Sequence, residues 1–150
     1  MHWQIIKKMQ QPSIIKGGSF TDTRGKLYYN NTFDASSVRR IYIIDNSSID
    51  NARGWQGHKI EQRWLLVATG AFEIELIAVD NWQRPSKHLK PTKYKLKPDS
   101  MDVLHVPAGY ISSIKSKELG SKLVVMGDYG LGEIADEYKY EGDYFKVKNK

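Results

Sequence analysis

The chain has 150 residues, 40% of them hydrophobic and 27% charged, with a net charge of +6 and no cysteine. That length suits one domain with a sizeable core. Disulfides and thiolate metal sites are excluded, and no apolar run is long enough to span a bilayer. The Lys and Arg residues are scattered and do not form a stripe interleaved with stacking aromatics, so a small anionic ligand such as a nucleotide diphosphate is expected ahead of nucleic acid or a membrane. The first residues, MHWQIIKKMQQPS, lack the pattern of a signal peptide, and the expected location is the cytoplasm.

Residues 1–12 read as an irregular lead-in or edge strand, and Ile14-Ile15 precede a turn at Gly17-Gly18. Phe20 to Tyr29 reads as a turn into a strand, with the Asp22 carboxylate folding back onto backbone N–H groups and Gly25 taking positive φ. Arg24 is presented there, either as a plain surface arginine or as a phosphate clamp. Val38 to Asp45 is β-branched and aromatic, hence a strand. Neither of its faces is cleanly polar, which suits a sheet covered on both sides or a barrel wall. After a loop at 46–52, Trp64 to Val79 reads as a hairpin turning at Thr69-Gly70. Residues 81–91 form a polar loop in which Trp82 packs against the body. TKYKLK and Met101–Val106 are strands, the second ending at a Pro107-Ala108-Gly109-Tyr110 corner, and SKLVVMGDYG is a buried strand. The Tyr-rich tail is a strand or short helix that covers the barrel, frayed from about 146. The sum is about nine short strands with no long amphipathic helix, an all-β single domain with the jelly roll as leading choice.

Between Arg53 and Gly70 a buried-type strand follows a run of polar and ring-bearing side chains. Gln56 and His58 are two apart, so an extended backbone points them to one face. With Arg53, Lys59, Glu61 and Arg63 beside them they form either the lining of a pocket or a strand end with mixed surface charge.

The chain here resembles the RmlC-like cupins that act on nucleotide-linked keto-sugars. These include the dTDP-4-keto-6-deoxyglucose 3,4-ketoisomerases with their WxcM-like relatives, and the dTDP-4-dehydrorhamnose 3,5-epimerases. The resemblance rests on Asp-x-Arg-Gly at Asp22–Gly25, Arg53 to Lys59, the strand into Thr69-Gly70, the Leu104–Tyr110 corner and the Asp128-Tyr129 pair. It implies a cupin jelly-roll barrel, a homodimer, no metal, no cofactor and a dTDP-sugar as ligand. By the same resemblance Arg24 binds the nucleotide across the dimer, Arg53 and Arg63 serve the sugar side, and Tyr42 stands where the ketoisomerases place a functional tyrosine.

The chain also departs from these patterns. Gln56 stands where an epimerase has its catalytic histidine and where a ketoisomerase has the first histidine of His-x-His-Lys. Val124 and Val125 stand where the epimerase tyrosine acid belongs. The second histidine and the lysine survive as His58 and Lys59. His58 is thus the expected acid/base group, since an imidazole can take and return a proton at neutral pH. Arg53, Gln56, Lys59 and Tyr42 are the expected donors to an enediolate. The expected reaction is 3,4-ketoisomerisation of a dTDP-linked 4-keto-6-deoxy sugar, ahead of an epimerase with relocated groups or a sugar-nucleotide binder without chemistry. A cupin metal site would draw on two histidines, a glutamate and a third histidine after the corner. Here those places hold Gln56, His58, Gln62 or Arg63, and Ser112, a poor cation site. His105 is expected to be structural.

Overall fold

The computed structural model describes residues 10–145. The lead-in at 1–9 and the tail from 146 lie outside the described residues. Twelve strands run in chain order: β1 (Ser13–Ile15), β2 (Gly18–Asp22), β3 (Gly25–Tyr29), β4 (Arg40–Ile44), β5 (Arg53–His58), β6 (Arg63–Thr69), β7 (Phe72–Ala78), β8 (Thr92–Leu96), β9 (Val103–Val106), β10 (Tyr110–Ser116), β11 (Lys122–Gly127) and β12 (Tyr138–Lys139). Ten of them form two five-stranded antiparallel sheets, ordered β1-β9-β6-β11-β4 and β12-β5-β10-β7-β8, while β2 and β3 pair only with each other. Among the described residues there is no helix, so none is long and apolar enough to cross a membrane.

Period-two alternation turns one face of each sheet inward. Leu65, Val67, Leu104, Leu123, Val125 and Ile44 of the first sheet meet Phe72, Ile74, Leu76, Leu96 and Ile114 of the second in the main core. The outer face of the second sheet is also covered. Trp55, Ile77 and Ile111 pack beneath Trp82, Leu89 and the segment carrying Tyr140, Tyr144 and Phe145. The outer face of the first sheet is covered only in part, by Phe33 and Val38 against Trp64, Val103 and Met126. Farther along β4 that face is bare, with Ile41 65% and Ile43 59% exposed.

Three expectations need correction. The stretch from Trp64 to Val79 is not a hairpin. Although Gly70 reverses the chain at φ +82°, β6 pairs with β11 and β9 while β7 pairs with β10 and β8. A turn signal specifies a reversal but not the partner. Here Leu65, Val67, Phe72 and Ile74 are all buried in the main core, which a chain changing sheets at Gly70 achieves by setting its two strands face to face. The second correction is β10, the central strand between β5 and β7, where the sequence predicts only a corner ending at Tyr110. Its Ser112, Ser113, Lys115 and Ser116 hide a buried pattern carried by Tyr110, Ile111 and Ile114. Third, Gly18 to Tyr29 is a complete hairpin rather than a turn into one strand, with Asp22 opposite Gly25 and Gly25 at φ +132°. As expected, the Asp22 carboxylate accepts the Arg24 backbone N–H at 2.9 Å.

Candidate active site

His58 owes its position to the alternation of β5. His58 and Gln56 pair with Tyr110 and Ser112 of β10 and share one face of the strand. Trp55 and Gly57 take the other face, where a Cβ on Gly57 would come within 2.7 Å of the Trp82 ring. Trp82 therefore packs on the back of the strand that carries His58, with its ring centroid 4.7 Å from that of Tyr138.

Beyond His58 the chain turns through Lys59–Gln62 into β6. This turn is tied down by a residue far away in sequence. The buried Asp136 carboxylate accepts the backbone N–H of Lys59 (2.9 Å), Ile60 (2.9 Å) and Glu61 (2.7 Å). Burying a carboxylate is costly unless its oxygens are matched by donors, and three consecutive amides supply them. The Asp136 carbonyl oxygen lies 3.1 Å from His58 Nδ1.

Together these elements shape a cleft of about 330 Å³ lined by Arg40, His58, Glu61 and Arg63 on the sheet side, and by Tyr129 to Gly132, Ile134, Asp136 and Glu137 on the other. A chain of polar contacts crosses its floor. Glu61 Oε2 lies 3.5 Å from His58 Nδ1. Arg63 donates to the same oxygen through Nη2 (3.0 Å) and Nε (3.3 Å), and through Nη1 to the Tyr42 hydroxyl at 2.5 Å. The Arg40 guanidinium lies 4.7 Å from the Tyr42 ring centroid, a cation–π contact that fixes both side chains.

Burial, and next the Arg63 charge, push the His58 pKa below its ordinary value, against the opposing pull of Glu61 and Asp136. The imidazole is therefore neutral at neutral pH. With two oxygens facing Nδ1, the proton of the neutral ring belongs there, which leaves the Nε2 lone pair free as a base.

Of the residues singled out in the sequence, Tyr42, His58 and Arg63 come together. Gln56 shares the His58 face, but its amide donates to Glu137 Oε1. The other three are elsewhere. Lys59 is exposed, and its side chain does not line the cleft. Arg53 is exposed at the opposite end of β5, donating to Asn46 Oδ1 at 3.0 Å beside a separate polar depression. Arg24 sits at the tip of the β2–β3 hairpin, ion-paired with Asp22 at 2.6 Å. Glu61, expected beside the pocket, does line the cleft, whereas Arg40, Tyr129, Asp136 and Glu137 have no role assigned from the sequence. For Arg40 a signal existed, since alternation puts it on the Tyr42 face of its strand. Asp136 had none.

His105 lies outside this cleft, stacked on Trp64 with centroids 5.3 Å apart and its Nε2 2.7 Å from Gln62 Oε1. Among the described residues no three His, Cys, Asp or Glu side chains converge as a metal cage would require.

No family model matches the chain, and no curated protein does. Solved structures do. A sugar 3,4-ketoisomerase from Thermoanaerobacterium thermosaccharolyticum, solved as a variant with TDP-4-keto-6-deoxyglucose, is similar at TM-score 0.66 and 21% identity, over 90% of this chain and 91% of that one. A 3,4-ketoisomerase from Helicobacter canadensis has TM-score 0.66 and 19% identity, over 90% and 95%. A 3'-monoepimerase from Streptomyces bikiniensis in complex with dTDP-quinovose has TM-score 0.71 and 13% identity, over 91% and 72%. These likenesses establish the fold, the RmlC-like cupin jelly roll.

His58 and His105 both have pKa values lowered from 6.5, in each case chiefly by burial. Such a histidine binds its proton less readily in the folded chain than in the unfolded one. Its contribution to stability is intact above the unfolded value and is lost as the pH falls through it toward the lowered folded one. Thermal unfolding followed by circular dichroism from about pH 8 to about pH 5.5 should show Tm falling below about pH 6.5. A His105→Gln variant should show a flatter profile.

Proposed function

We propose that this chain is an isomerase of a dTDP-linked 4-keto-6-deoxy sugar, and that its reaction is 3,4-ketoisomerisation with His58 as the acid/base group. The observation that carries this reading is the His58 ring. It is half-buried, neutral and held at Nδ1, and it lines a cleft of sugar size together with the Arg63 and Arg40 cations. The solved structures of like fold include 3,4-ketoisomerases, one with TDP-4-keto-6-deoxyglucose bound.

The chemistry follows from this arrangement. His58 Nε2 takes the proton from C3, and the electron pair of that bond forms a C3–C4 double bond as charge moves onto O4. The guanidinium N–H groups of Arg63 and Arg40 are the donors for that charge, in a site where burial strengthens them. His58 returns its proton to C4. The O3 hydroxyl proton passes to O4 as the carbonyl forms at C3, so atoms and charge balance. Tyr42 holds Arg63 from behind. A second reading is a sugar-nucleotide binder without chemistry, supported by the pairing of Gln56 with Glu137 where ketoisomerases carry an imidazole.

We propose further that the chain works as a homodimer through the outer face of its first sheet. Ile43, Val124 and Leu66 lie in one row across β4, β11 and β6. Leu66 borders an apolar depression of about 410 Å³ lined also by Tyr28, Pro98 and Met101. The β2–β3 hairpin adds Phe20 and Leu27, both exposed. A second copy on this face would cover the bare β4 edge. It would also set Arg24, which borders a depression formed by its own hairpin, against the surface of the other copy.

Proton NMR in deuterated water with dTDP-4-keto-6-deoxyglucose tests the reaction. The C3 proton signal should disappear as a 3-keto species forms. His58→Ala should lower the rate by about 10²–10⁴-fold while dTDP affinity is kept. Exchange at C3 and C5 without movement of the keto group would indicate epimerisation instead, and binding with no exchange would indicate the binder. For the assembly, light scattering should give twice the chain mass, and Ile41→Lys with Ile43→Lys should halve it. A wild-type monomer would rule the dimer out.

A further inference from the structure

Glu61 is only 7% exposed, yet its carboxylate serves more than one neighbour. Oε2 accepts two N–H groups of Arg63 and lies 3.5 Å from His58 Nδ1. The other oxygen rests against Gly127, where a Cβ would come within 2.6 Å of it. The backbone of Glu61 is held by Asp136 at 2.7 Å. A buried carboxylate placed this firmly between a guanidinium and an imidazole is more than an ion pair for Arg63.

We propose that Glu61 is the positioning residue of His58, keeping the ring oriented with Nε2 toward the cleft and compensating the positive charge that the ring acquires when it takes a proton. This rests on the reading of His58 as the acid/base group. The groups that face the imidazole come from three places: Glu61 from the turn after β5, Arg63 from β6 and Asp136 from the segment after β11. The Asp136 carboxylate is already occupied by the three turn amides, and Arg63 opposes protonation. Without Glu61, an imidazolium would form in a buried site next to Arg63, with Arg40 lining the same cleft. The chain has lost the first imidazole of the ketoisomerase pattern at Gln56, and the single remaining ring carries the whole proton transfer.

Glu61→Gln keeps the shape and removes the charge. Nitrogen-15 NMR of the imidazoles should show the His58 titration moving down by about one unit or more, as loss of an opposite charge within contact distance predicts. The acid limb of kcat/KM should move with it, and kcat should fall at least about tenfold with KM little changed. Glu61→Asp retains the charge and should recover part of both, which separates the charge from any defect in folding. A fall in kcat with no movement of the His58 titration in Glu61→Gln would overturn the proposal, leaving Glu61 as a packing group. A shifted titration in a protein whose wild type turns over no keto-sugar would sustain the positioning role and defeat the assignment of the reaction instead.

Discussion

The carboxylate of Asp136, clasped by three consecutive backbone amides, is the interaction on which the candidate site depends. Those amides belong to the turn that follows His58, and the clasping residue comes from the segment after the last long strand. One contact thereby sets the path of the chain out of β5, the place of Glu61 and the entry into β6 that carries Arg63. The same residue's carbonyl holds the His58 ring. A carboxylate buried among apolar groups would be strongly destabilising alone. Matched by three N–H donors it becomes a fixed point, because each bond to a charged acceptor is stronger than one between neutral groups.

The sandwich explains why the chemistry gathers at one end. Along the middle of β6, β7, β9 and β11 the inward positions are aliphatic or aromatic. Toward the His58 end of β5, the Arg40 end of β4 and the Arg63 end of β6, the inward positions become His58, Arg40, Tyr42 and Arg63. The cations there are steadied by Tyr42 and by Glu61, so they would need little reorganisation to face negative charge on a ligand. On the outside of β5, the close approach of Trp82 to Gly57 backs the strand with a rigid ring. The precision of the site thus comes from a packed support on each side of one strand.

Much of this was legible from residue order. Alternation set Gln56 and His58 on one face, and Tyr42 and Arg40 together on another strand, because a two-residue period survives from sequence to sheet. It misled where its premises ended. Lys59 lies past the last residue of β5, so strand parity does not govern it. Arg53 is on the same strand as His58, but five residues at about 3.3 Å each carry it to the opposite end. Sheet partners were less legible still. Thr69-Gly70 has the composition of a hairpin turn, yet the chain crosses from one sheet to the other there. Polar β10 escaped notice although it lies between β5 and β7. The role of Asp136 depends on contacts across more than seventy positions, which no local pattern encodes.

The most direct test of the central claim is a crystal structure of the protein with a dTDP-sugar that lacks the keto group and so cannot react. The pyranose should lie in the cleft beneath Tyr129, with C3 about 3–3.5 Å from His58 Nε2 and O4 within hydrogen-bond reach of Arg63 or Arg40. A sugar seated elsewhere, or one in the cleft with C3 turned away from His58, would contradict it.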